Sequence, residues 1–220
     1  MSEHSSSPLA RRSFLTQVGT GVTVLGAATT VGGPPAAAAQ GVEVRRWQPE
    51  RHSQDDWLDQ IQGKHRLVFD TTESSGMDSA LRYATNYYSA NNTGYGLQNS
   101  DLAVVIIARH ISTPYAYDES IWTKYGVQLS DFTEKGKPPS MRNTYGRQLN
   151  TLIGRGTHLA VCQLATRAIA GMIAPAFKST TDDVYNEIAA HLLPNSHLVP
   201  AGIVAVNRAQ ERGYALVHAV

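Results

Sequence analysis

Leu102-Ala103-Val104-Val105-Ile106-Ile107-Ala108 is the stretch that decides the fold. It is continuously apolar and rich in β-branched residues, so it reads as a strand covered on both faces. Such strands belong to parallel sheets with helices packed on either side. The flanking sequence extends that reading. Upstream, Arg66–Asp70 forms a shorter apolar strand, closed by the polar run Thr71–Gly76. A helix is predicted from Met77 to Ala90, with Met77, Leu81, Ala84 and Tyr88 on one face, and Asn91-Asn92-Thr93-Gly94 is expected to break it.

Downstream, Arg109–Asn143 reads as a long irregular insertion with Pro114, Pro138 and Pro139. One or two helical turns are expected around Asp118–Lys124, capped by Asp118 and anchored by Trp122. Further helices are predicted at 145–153, 164–173, 181–192 and 201–212, with strands at 158–162, 198–199 and 214–218. Strands alternating with helices predict an α/β fold, a three-layer, mainly parallel open sheet flanked by helices in the flavodoxin-like manner. No internal repeat is visible.

The N-terminal 39 residues carry a different signal. Arg11-Arg12-Ser13-Phe14-Leu15, a mild apolar run over Val18–Val31 and Ala37-Ala38-Ala39 read as a twin-arginine export leader, with the mature chain starting near Gln40. The run is too short and too diluted by glycine for a membrane span of about 20 apolar residues. The expected location is therefore periplasmic or secreted, with no membrane association once the leader is removed. Residues 40–64 form a polar arm whose Trp47 and Trp57 are expected to pack on the domain at 65–220. Removing Arg11, Arg12 and Glu3 with the leader takes 19 basic and 18 acidic residues to 17 of each. That balance offers nothing to attract nucleic acid.

Cys162 is the sole cysteine. The chain therefore has no disulfide and no multi-cysteine metal site. In an open parallel sheet, ligands collect beyond the carboxyl ends of the strands, where Asp70–Gly76, Arg109-His110 and Cys162-Gln163 are expected to meet. Cys162 admits two readings there. Between a strand and a helix N-terminus, a thiol is biased toward thiolate, and Arg109 or His110 would strengthen that bias. A free cysteine is equally at home as a small buried hydrophobe. His110 can act as base, proton donor or ligand, or simply hydrogen-bond the loop after it. Asp70 and Glu73 are too isolated to form an acid/base pair. His158, His191, His197 and His218 lack zinc-ligand spacing and read as structural or surface groups. Tyr115, Tyr117, Trp122 and Tyr125 either wall a pocket or interface or pin the insertion to the core. Gly154-Arg155-Gly156 lacks the lysine of a phosphate loop, so neither cofactor nor metal is expected.

Val161-Cys162 closing a strand, followed by helices and then by Leu198-Val199-Pro200-Ala201-Gly202 through Gln210-Glu211-Arg212-Gly213-Tyr214, resembles the DsrE/DsrF-like (YchN-like) sulfur-relay family over residues 65–220. The resemblance implies a compact α/β domain assembling into trimers or hexamers. It also implies that a cysteine at the position of Cys162 carries persulfide sulfur between proteins. Arg109 and His110 are expected to tune it. The export leader and the aromatic-rich 109–143 segment depart from that pattern. The alternative is a non-catalytic accessory subunit that uses the 109–143 loop to hold a ligand, haem, metal or partner, and a scaffold subunit is a third reading.

Overall fold

β2 (Leu102–Ala108) is the middle strand of a five-stranded sheet and is buried along its whole length. Its neighbours are β1 (His65–Thr71), β3 (His158–Cys162), β4 (Ser196–Val199) and β5 (Ala215–Ala219). The order is β4-β3-β2-β1-β5 and every pairing is parallel. The computed structural model describes residues 47–220, so the leader expected over residues 1–39 lies outside the described residues. Among the described residues seven α-helices surround the sheet: α1 (Trp57–Gln60), α2 (Ser74–Tyr95), α3 (Glu119–Thr133), α4 (Gly146–Ile153), α5 (Gln163–Ile173), α6 (Thr181–Ala190) and α7 (Gly202–Glu211). The fold is a three-layer α/β parallel open sheet, as the sequence predicts.

Connection handedness explains the layers. From β1 to β4 the chain steps one strand at a time in one direction, so right-handed crossovers keep the intervening helices on one face. There Phe69, Ile106 and Val161 pack against Tyr88 of α2, Trp122 of α3 and Ile169 of α5. The last crossover runs back past three strands to β5, and the same handedness sends α7 to the other face. That face is Val68, Val105, Ile107 and Ala160 under Ala205, Val206 and Ala209 of α7, with Leu58 and Ile61 beside them.

Three expectations are corrected. The first helix does not break at Asn91–Gly94. Asn91 and Asn92 use their side-chain amides to donate to the carbonyls of Tyr87 and Leu97, and the helix runs on to Tyr95 before Gly96, at φ 66°, ends it. The 109–143 segment is irregular only over its last ten residues, 134–143. A 3₁₀ turn over His110–Ala116 leads into α3, fifteen residues long and capped by Asp118 as expected. Tyr115, Tyr117, Trp122 and Tyr125 are all buried, and the Trp122 indole donates to the Pro114 carbonyl at 3.0 Å, so the cluster pins the segment to the core. In the arm, Trp57 packs as expected, but Trp47 is 74% exposed. The arm joins the domain through buried Leu58, whose carbonyl accepts from the Tyr214 hydroxyl at 2.7 Å.

Candidate functional site

β3 and β4 are neighbours whose following helices depart to opposite faces, α5 to one and α7 to the other. Such a switch opens a crevice at the carboxyl ends of the strands. Cys162 ends β3 there, in register with Val199 of β4. Side chains alternate along a strand, and the alternation puts Cys162 on the face of Ala160, Asp70 on the face of Val68, and His218 in register with Asp70. All three thus sit on the α7 face.

Arg109 follows β2 directly and closes the group. Its Nε donates to Asp70 Oδ1 at 2.6 Å and its Nη2 to Oδ2 at 2.8 Å, the two-pronged geometry that makes arginine–carboxylate pairs strong. The Asp70 side chain is 7% exposed and that of Arg109 24%, so the pair is largely withdrawn from water. His218 Nδ1 lies 3.1 Å from Asp70 Oδ2. The Asp70 bonds hold the Arg109 guanidinium above its ordinary pKa against the opposing effect of burial, and a thiolate at Cys162 adds to the rise.

The backbone around Arg109 is fixed on three sides. Its N–H donates to the Thr71 carbonyl, while the Ser112 hydroxyl bonds Thr71 and the Arg109 carbonyl. Gly202, the first residue of α7, lies directly on the side chain: a Cβ there would come within 2.8 Å of Arg109 Cδ. His110 takes φ 56°, left-handed backbone that a non-glycine residue adopts at a cost.

Cys162 is the N-cap of α5, and its Sγ accepts the Ala165 N–H at 3.5 Å. Its carbonyl accepts from the Thr166 hydroxyl, which in turn accepts from Tyr117. The residue is 7% exposed, neither open to solvent nor enclosed by apolar groups alone. The arrangement offers a thiolate an amide N–H, the positive end of an eleven-residue helix and a neighbouring guanidinium.

Of the three candidates from the sequence, Arg109 and Cys162 are brought together. His110 stands apart: its side chain is exposed and its Nδ1 lies 3.9 Å from Glu73. Asp70, whose strand end was expected here without a role of its own, and His218, set aside on sequence grounds, join the group, and the available signal was that each stands at the carboxyl end of a strand. His158 and His197, also set aside, form a pair at the far end of the sheet. His191 lies near Ser120 and Asp118, but both contacts fall on the same ring nitrogen and Asp118 caps α3, so this is a helix cap and not a catalytic triad. Among the described residues no three His, Cys, Asp or Glu side chains gather as a metal would require, and no helix is long and apolar enough to cross a membrane.

No family model matches the chain, and no curated protein matches it. Among solved structures it is similar to a protein of unknown function from Methanobacterium thermoautotrophicum, at 16% identity, covering 70% of this chain and 98% of that one, with a TM-score of 0.39.

Proposed function

We propose that the chain is an exported, DsrE-like sulfur carrier in which Cys162 is the reacting group. The observation that supports this reading is that Cys162 Sγ, held as an α5 cap, ends β3 beside the end of β2 that Arg109 follows, with Arg109 itself locked on Asp70. Cys162 as thiolate attacks the outer sulfur of a hydropersulfide donor, RSSH. The thiolate's electron pair forms the new S–S bond, the donor's S–S bond breaks, and its pair leaves with RS⁻. An acceptor thiolate then takes the outer sulfur by the same exchange and regenerates the Cys162 thiolate, so no net oxidant is consumed. Arg109 balances the negative charge at both stages, and Asp70 positions Arg109. His110 stays outside this scheme.

The low exposure of Cys162 favours inorganic polysulfide or a donor with a slender tip. Leu164 and Ile203, 65% and 60% exposed, stand on the first turns of the two helices that border the site and offer apolar purchase to a protein partner or a second copy. Assembly as a trimer or hexamer belongs to the same proposal, as does an extracytoplasmic location.

The test is mass spectrometry of the mature protein after polysulfide treatment. A reversible adduct of about 32 Da, one sulfur atom, is expected on wild type, together with its transfer to an added acceptor thiol. Cys162→Ser should lose both, and Arg109→Gln should slow the loading of sulfur onto Cys162. An unmodified wild-type protein ends the proposal.

A further inference from the structure

The amino ends of the strands carry a second constellation, on the same sheet face as Cys162 but at the opposite end of β3. His158 opens β3 and His197 lies in β4. Nδ1 of the first is 3.0 Å from Nε2 of the second, and their rings lie 5.3 Å apart with planes 18° from parallel. Near-coplanar rings with facing nitrogens at that distance share one hydrogen bond. The N–H of one ring points at the lone pair of the other, so the two nitrogens do not converge on a third point, which is the wrong geometry for a metal between them. Trp57 lies flat on His197, centroids 4.0 Å apart and planes 9° from parallel. Burial lowers the pKa of both histidines, His197 to about 4, so this aromatic wall is uncharged at neutral pH.

The wall borders a cleft of ≈ 430 Å³, a volume suited to a small organic molecule. Ile61 and Leu102 add apolar surface, and Gln60, Asn99 and Arg155 add polar groups. No aspartate or glutamate lines it. The partners recorded for Arg155 are neutral: its Nη2 donates to Asn92 Oδ1 at 3.0 Å and its guanidinium lies 4.5 Å over the Tyr88 ring. Among the described residues no carboxylate cancels its charge. Two lining residues hold a buried polar atom without a partner among the described residues, Trp57 Nε1 and Asn99 Oδ1. Such atoms are rare in folded chains and call for a partner from outside.

These features select a ligand class by elimination. A cation meets an unneutralised arginine and no acid. A polyphosphate needs several cations or helix N-termini, whereas the amino edge of a parallel sheet faces the carbonyl ends of its helices. One cation and an aromatic wall suit a flat monoanion. We propose that this cleft binds a small planar aromatic or heteroaromatic carboxylate, its ring against Trp57 and His197 and its carboxylate on Arg155. The site is separate from the Cys162 chemistry and stands whether or not that chemistry is right.

The experiment is a titration of the full chain followed through the tryptophan indole N–H resonances, with benzoate and nicotinate as probes. Benzamide and nicotinamide serve as uncharged matches, and acetate as a carboxylate without a ring. The expected result is that both aromatic carboxylates shift the Trp57 resonance and leave those of Trp47 and Trp122 in place. The amides and acetate should bind at least about tenfold more weakly. Arg155→Gln should erase the preference for carboxylate over amide. The proposal is overturned if amide and carboxylate bind alike, if Arg155→Gln keeps the preference, or if no probe moves Trp57 at about 10 mM, a generous limit for ligands this small. Should Arg155→Gln fail to fold, the wild-type ligand series decides alone.

Discussion

The Asp70–Arg109 pair is expected to be strongly coupled, and a double-mutant cycle measures it. In Asp70→Asn, Arg109 keeps its charge but loses two charge-assisted bonds, at 2.6 and 2.8 Å, on a side chain only 24% exposed. In Arg109→Gln, the Asp70 carboxylate stays at 7% exposure with only His218 beside it. Removing one partner of a buried pair costs about 3–5 kcal/mol, and the partial exposure of Arg109 reduces this to about 2–4 kcal/mol for Asp70→Asn. Arg109→Gln should cost about 3–4 kcal/mol, because the stranded carboxylate is the better-buried partner. The double variant leaves two neutral amides able to bond each other, so its loss should fall short of the sum by about 2–3 kcal/mol. Urea unfolding at pH 7 gives each free energy. Thermal melts should fall by about 2–4 °C per kcal/mol for a chain of this size. Losses that add to within about 0.5 kcal/mol would refute the coupling, and with it the claim that Asp70 fixes the position of Arg109.

Two further outcomes follow from the packing and the titrating groups. Gly202→Ala pushes a methyl group onto the Arg109 stem, with Cδ at 2.8 Å. It should cost about 1–3 kcal/mol as overpacking and slow the loading of Cys162 by polysulfide, and an unchanged loading rate would show that Arg109 does not act on the thiol. Because His197 titrates near 4 in the folded chain and near 6.5 in the unfolded one, the unfolded state takes up the proton first as pH falls. Stability should therefore drop between about pH 6.5 and 4, by about 1–2 kcal/mol from this half-buried ring after allowing for solvent, with His158 adding in the same direction. His197→Asn should flatten that part of the urea-unfolding pH profile, and an equal slope in the variant would contradict the assignment.

The fold was legible because its strands are short runs of β-branched residues whose ends coincide with turn residues. β2 and β3 fall where the sequence puts them. The helix in the 109–143 segment was hidden by composition: Gly136, Pro138 and Pro139 lie past its end, whereas Ile121, Trp122, Tyr125 and Leu129 fall on one helical face and carried the missed signal. α2 was read too short because asparagine is a poor helix former in isolation, and its side chain here bonds the helix's own backbone. At the site, Arg109 and Cys162 were legible from their positions at strand ends. Asp70 looked isolated because its partner lies 39 residues away, and only the β1–β2 register brings the two together. The His158–His197 pair, also 39 residues apart, depends on the β3–β4 register in the same way.

Both constellations lie on the α7 face for one geometric reason. α7 has ten residues and spans about 15 Å, whereas β1 and β2, at seven residues each, span about 23 Å. α7 covers the middle of that face, and the four-residue α1 lies beside it with Trp57 on His197, while the opposite face lies under α2, α3 and α5. Apolar residues therefore fill the middle of the α7 face, at Val68, Val105 and Ala160. The same alternating positions become polar or reactive where cover runs out: Asp70, Cys162 and His218 at the carboxyl ends, His158 and His197 at the amino ends. β3 alone carries a member of each group, His158 and Cys162, about 13 Å apart across four residue steps. The crossover that returns the chain to β5 thus sets where both constellations lie.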